Sequence, residues 1–168
     1  MSLSWKHRVA LWLRGNDVSL VVAAPFRLPS PAVRVPSKDD IGKVEGHLNT
    51  LAWPVIPLAP GTWRSSFRGK TGVFPLVIQV EDGWCKLHVL PIVRLPGDLD
   101  KAEKLYHQLL KLNGEILLAR FSLDEDGDVI LSVELPLNDL DASEIRDALD
   151  VLSVYAERHQ PELRQLVV

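Results

Sequence analysis

The sequence predicts an α+β domain in which helices pack on one antiparallel sheet, and three observations carry that prediction. Two-residue alternation marks strands, as in TWRSSFRG (62–69), where Trp63, Ser65 and Phe67 alternate with Arg64, Ser66 and Arg68. Apolar residues three and four apart, as in Leu105, Leu109 and Leu112, mark helices. From Ser37 onward these segments follow in the order α-β-β-β-α-β-β-α, preceded by a β-hairpin at the N-terminus.

The N-terminal hairpin is read over HRVALWLRGNDVSLVVAAPF (7–26). Val9, Leu11 and Leu13 alternate with Arg8, Ala10 and Trp12, and Gly15-Asn16-Asp17 tolerates the positive φ of a tight turn. RLPSPAVRVPS then places three prolines in eleven residues, an extended linker. This divides the chain into residues 1–34, a hairpin appendage with a Pro-rich linker, and residues 35–168, the main domain. The first helix begins at Ser37, an N-cap with Asp40 three residues on, carries Ile41, Val44, Leu48 and Leu51, and ends at Trp53-Pro54.

Three strands are predicted next: TWRSSFRG (62–69), 73–81 and 84–93, the last two joined by the turn signal Asp82-Gly83. Pro75 and Pro91 remove ladder donors and belong near strand ends or on an edge. The second helix follows Gly97, with Asp100 and Glu103 as its capping pair. Its stripe is Ala102, Leu105, Tyr106, Leu109 and Leu112, and Asn113-Gly114 supplies a left-handed C-cap. A hairpin and a third helix from about Asp141 to His159 complete the domain, the latter capped by Asp141 with Glu144 and stopped by Pro161.

The tip of that last hairpin, Asp124-Glu125-Asp126-Gly127-Asp128, raises the question of a cation site. A calcium loop with Gly127 at its sixth position would begin at Ser122 and end at Val133, so its first and last ligands are missing. A catalytic carboxylate pair needs one acid desolvated and one not, whereas acids at a hairpin tip are all solvated. The residues read as a turn between two alternating strands.

Other motifs fall short of a chemistry. RGKTG (68–72) lacks the glycine that a phosphate-binding loop needs at the position of Arg64. Cys85 and His88 stand three apart in a strand, on opposite faces, so a nucleophile and its base could not meet there. The five histidines, His7, His47, His88, His107 and His159, share no metal-ligand spacing, and a single cysteine excludes disulfides. No cofactor is expected. No apolar run reaches the roughly 20 residues of a membrane span, and no signal peptide is read, so the cytoplasm is the expected location.

Charge is uneven. Residues 1–72 hold 10 Lys/Arg against 4 Asp/Glu, and residues 73–168 hold 9 against 18. Such halves can solvate two faces of one globule or pair across a two-fold axis. The acidic half argues against nucleic acid as a partner. Tryptophans interleaved with arginines in the first half could stack single-stranded nucleic acid, but tryptophans of this kind are more often core or interface anchors. The candidate partner-binding residues are Trp63, Arg64, Phe67, Arg68 and Trp84.

The stretch from about Tyr106 to Leu163 resembles the YbjN-like and type III secretion chaperone-like families. A leucine-rich helix ends in Asn113, then a hairpin carries Arg120, Phe121, Asp126, Gly127 and Leu135 before a closing amphipathic helix. That resemblance implies a compact α+β domain, usually dimeric, without catalytic residues, binding an extended segment of a client protein. The leading expectation is therefore a non-enzymatic, chaperone- or adaptor-like homodimer that binds a polypeptide. The rivals are an enzyme or small-molecule sensor assembled from distant residues such as Arg64, Arg68 and His88, and single-strand nucleic-acid binding by the basic half. A pocket of convergent polar side chains would favour the sensor; a long apolar groove would favour the chaperone.

Overall fold

The structure is a computed structural model, and it describes residues 36–124 and 126–168. The hairpin and linker read over residues 7–34 lie outside the described residues. Within them, helix α1 (Lys38–Thr50) precedes strands β1 (Ile56–Ala59), β2 (Thr62–Arg68), β3 (Val73–Glu81) and β4 (Trp84–Val93). Helix α2 (Leu99–Asn113), strands β5 (Arg120–Leu123) and β6 (Val129–Pro136) and helix α3 (Ala142–Val167) follow. All pairings are antiparallel and the strand order is β1-β2-β3-β4-β6-β5.

The alternation of side chains along each strand decides which face is covered. Phe74, Leu76, Ile78 and Val80 on β3, Cys85, Leu87 and Val89 on β4, and Val129, Leu131, Val133 and Leu135 on β6 are all buried. The residues between them face the other way and keep contact with solvent, apart from Ser132. Helix α3 supplies the lid, burying Ile145, Ala148, Leu149, Leu152, Ala156 and Leu163. Helices α1 and α2 add Val44, Leu48, Leu105, Leu109 and Leu112 to the same core.

Local signals act as their chemistry requires. Ser37 accepts from the Asp40 N–H at 3.0 Å while Asp40 receives the Ser37 N–H, a capping box, and Asp141 with Glu144 repeats it on α3. Asp82 and Gly83 both have positive φ, 52° and 85°, as the two-residue hairpin turn between β3 and β4 demands. The acidic window is a turn: Asp124 Oδ1 accepts from the Asp126 and Asp128 N–H groups at 3.0 and 2.8 Å, and Gly127 sits at φ 84°.

Four features differ from the sequence expectation. Strand β1 is an additional edge strand, hidden in the sequence by Pro57 and Pro60; an edge tolerates a missing ladder donor. Helix α2 is capped by Asp98, whose carboxylate accepts from the Lys101 N–H at 3.0 Å, not by Asp100. Gly114 closes that helix with right-handed geometry, φ −81°, and the left-handed residue comes later, at Leu118, φ 67°. Helix α3 runs through Pro161 to Val167 instead of stopping at His159. Its last turns continue because Leu163 is fully buried and the Gln160 amide donates to the Ile92 carbonyl at 3.0 Å, tying the helix to β4 across the proline.

Asn113 has a structural role beyond ending α2. Its amide nitrogen donates to the Phe121 carbonyl at 2.9 Å and its oxygen accepts the Phe121 N–H at 2.7 Å. The side chain thus stands in for a neighbouring strand on the open side of β5. Asn113→Ala is expected to lower unfolding free energy by about 2 kcal/mol, two hydrogen bonds at about 1 kcal/mol each, in urea titrations.

Candidate functional site

The five candidate partner-binding residues divide between the two faces of the sheet. Trp63 pairs with Ile78 and Phe67 with Phe74, so both turn toward the helix-covered side. Trp63 is 3% exposed, and Phe67 stacks on Phe74 with ring centroids 5.1 Å apart. Arg64 and Arg68 pair with Val77 and Val73 on the uncovered side. Trp84, 41% exposed, lies on that side too, between Glu81 of β3 and Pro136 of β6.

His88 joins the arginines there, while Cys85 points into the core, as their spacing predicts. Burial pushes the Cys85 thiol up to about 12, so it stays protonated and unreactive. Among the described residues no group of three or more His, Cys, Asp or Glu side chains is placed to hold a metal ion. No helix among them is long and apolar enough to cross a membrane.

Two sheet edges, which no sequence motif singled out, add further apolar surface. At one end β1 is exposed along its whole length, with Ile56 at 55% and Leu58 at 56%. Beside it a groove of about 310 Å³ runs between α1 and the β1–β2 turn, lined by Ile41, Glu45, Pro57, Leu58, Gly61 and Trp63. Gly61, at φ 73°, makes the groove's close corner, since a Cβ there would sit 3.2 Å from the Ile41 side chain. Their signal in the sequence is faint: two exposed apolar residues interrupted by prolines.

The opposite edge, where α2 borders β5, is also apolar. Leu110 is 74% exposed, and Leu117, Leu118 and Leu123 are exposed around it. Tyr106, Leu109, Leu110, Phe121 and Leu123 line a shallow groove of about 240 Å³. Behind this edge, His159 sits 6.1 Å from the Phe121 ring and 5.9 Å from the Tyr155 ring, and its Nε2 is buried without a hydrogen-bond partner. The Tyr155 hydroxyl accepts the Leu117 N–H at 3.2 Å, pinning the loop that leads into β5.

The fold matches known proteins. The family model CesT_Tir_1, a type III secretion chaperone family, matches residues 67–168, from the end of β2 through α3. The chain belongs to this family. Among solved structures, YbjN from E. coli is 14% identical with a TM-score of 0.57, over 78% of this chain and 96% of that one. The ExsC–ExsE complex gives 19% identity and a TM-score of 0.54, over 73% and 95% of the two chains. The heterodimeric complex ExoU–SpcU from the type III secretion system of Pseudomonas aeruginosa gives 19% and 0.51, over 74% and 97%. At these identities the likeness is one of fold. No curated protein sequence matches the chain significantly.

Two expectations follow from the buried groups. Cys85 should resist a disulfide reagent in the native protein and react fully in denaturant; native-state modification at the rate of a free thiol would contradict its placement. The histidines predict an acid-side loss of stability. Burial lowers the pKa of His88 and of His159 below the ordinary 6.5. Near His159, Arg158 adds to the lowering, while Glu162 and Glu115 oppose it. The unfolded chain then takes up protons at a higher pH than the folded one, so their contribution is complete above about pH 6.5 and is lost as pH falls through the lower folded-state values. Melting temperature should drop between pH 7.5 and 5.5, and His159→Phe should flatten that dependence.

Proposed function

We propose that this protein is a non-enzymatic, cytoplasmic chaperone or adaptor that holds an extended segment of a client polypeptide, and that it works as a homodimer. The observation that carries the reading is the exposed β1 edge with its adjoining groove. Unpaired N–H and C=O groups on an edge strand can hydrogen-bond an added strand, and pockets for alternate side chains beside it select among sequences. Ile56 and Leu58 are large apolar side chains left at this edge. Family membership supports the same reading, since secretion chaperones are non-enzymatic.

The second copy is assigned to the other edge. Leu110 on α2, Leu117 and Leu118 in the loop before β5 and Leu123 on β5 are exposed apolar side chains at this end, and Asn113 occupies the hydrogen-bonding groups of Phe121 there. That edge is better suited to side-chain packing between two copies than to strand addition. Arg64, Arg68 and Trp84 on the open face are assigned to the partner-binding surface.

Light scattering should give twice the 18.8 kDa chain mass at micromolar concentration, and Leu110→Asp with Leu123→Asp should give the monomer mass. Leu58→Asp should abolish binding of an apolar strand-forming peptide while leaving the melting temperature and the dimer intact. A monomeric wild-type chain would remove the dimer, and unchanged peptide binding by Leu58→Asp would remove the β1 edge as the client site. Residues 1–34 are proposed as an appendage. A chain beginning at Ser37 should therefore unfold in one cooperative transition in urea, and an unfolded product would place the appendage within the core.

A further inference from the structure

On the face of the sheet away from the helices, the register sets Ile56, Arg64, Val77, His88, Ser132 and Arg120 in one row across all six strands. Two cations of this face already have acidic partners: Arg120 meets Glu134 at 2.6 Å and Lys86 meets Glu81 at 2.7 Å. Arg64 and Arg68 are exposed and form no ion pair among the described residues. Arg64 and His88 flank the half-buried Val77 from the two neighbouring strands, so their Cα atoms are two strand spacings apart, roughly 10 Å. Both side chains are long enough to meet over that valine.

His88 is prepared for such a meeting. Its Nδ1 is buried without a partner, and its Nε2 makes no hydrogen bond to any described residue and is not shut off from solvent. An unpaired N–H buried at Nδ1 would cost more than an unpaired lone pair, which favours the proton on Nε2, where it can be donated outward.

We propose that this row binds acidic side chains of the client, with a carboxylate seated over Val77 between the Arg64 guanidinium and the His88 imidazole. Arginine offers a carboxylate two parallel N–H groups, and the histidine N–H completes a three-donor site. Arg68 repeats the offer four residues along β2 on the same face, roughly 13 Å away. That repeat matches acidic residues at positions i and i+4 of an extended peptide, whereas a free small anion would use only one of the two arginines. Glu81 and Glu134 on the same face disfavour a phosphate backbone, which carries a charge on every unit and would meet both. The inference rests on the polypeptide-binding reading and adds the chemistry of the client: acidic residues within an extended segment.

A carboxylate at this site favours the charged imidazole, against the burial, Lys86 and Arg120 that hold His88 neutral and beside Glu134 and Glu81, which already pull the other way. Binding should therefore take up a proton and strengthen as pH falls toward 6.

The test uses the full chain and two ten-residue alternating peptides, one of Val and Glu and one of Val and Gln, with Trp84 fluorescence as one readout and the His88 ring proton shifts as the other. The Glu peptide should bind about tenfold more tightly than the Gln peptide at low salt, the order of one charge-assisted hydrogen bond. Arg64→Gln and His88→Gln should each erase that difference, and wild-type His88 should titrate at higher pH when the Glu peptide is bound. Equal binding of the two peptides would overturn the inference while leaving edge-strand binding of polypeptides in place. A Glu preference that survives both substitutions, with no shift in the His88 titration, would overturn it as well. If neither peptide binds, the inference falls, and an apolar peptide that still depends on Leu58 would show that the polypeptide-binding reading survives.

Discussion

The constraint on which this fold depends is the lid that α3 makes over the central strands. Its buried stripe from Ile145 to Leu163 covers the core sides of β4 and β6, and those strands hold β3 and β5 on either flank. Because side chains alternate strictly across a strand, sealing one side commits every second residue of three strands to the core at once. A one-residue slip of β4 would bring Lys86 and His88 inward and expel Leu87 and Val89, and a slip of β6 would exchange Val133 for Glu134. That cost locks the register, and the locked register aligns Arg64, Val77 and His88 across three strands.

One covered face leaves three surfaces to manage: the open face and the two edges. The edges are treated differently. At β5 the Asn113 amide answers the outward N–H and C=O of Phe121, so this edge offers side chains more than backbone. At β1 Pro57 interrupts the donors without answering the remaining groups, and no described residue lies beyond the strand. An unmanaged edge is an aggregation hazard in a protein with no use for it. Two large apolar side chains kept at such an edge are consistent with a strand-adding surface.

How much of this was legible in the sequence depended on how local the cause was. The bounds of β3 and β4 follow from two apolar runs separated by Asp82-Gly83, all visible within about twenty residues. Strand β1 was not legible, because Pro57 and Pro60 read as breakers and only its position at the sheet edge makes them tolerable. The stop expected at Pro161 failed because burial of Leu163 and the Gln160 bond to β4 are tertiary effects that outweigh one lost helical hydrogen bond. Asn113 was visible as a motif residue, yet its partner eight positions on appears only when the chain turns back. Of the candidate site, the shared face of Arg64 and Arg68 could be read from spacing alone. Their alignment with His88 needs the pairing of three strands, which no local pattern states.

The edges and the open face also answer different questions about a bound chain. Strand addition is made by backbone groups, so it contributes affinity with little regard to which residues the partner carries. Charges on the open face contribute little to the affinity of a solvated contact but discriminate between partners, since a misplaced like charge is costly and a matched one speeds encounter. The uneven charge of the chain takes on a local meaning here. Arg64 and Arg68 come from the basic first half, and β4 and β5, from the acidic half, bring Glu81-paired Lys86 and Glu134-paired Arg120 to the same face. Those two ion pairs neutralise the cations nearest His88 and leave the free charge of the face concentrated on β2, next to the edge strand. A chain laid along β1 would pass one strand from Arg64, which the register sets opposite Ile56. A strand added outside β1 lies three strand spacings, roughly 14 Å, from Val77, so backbone affinity and charge selection act on different parts of a client.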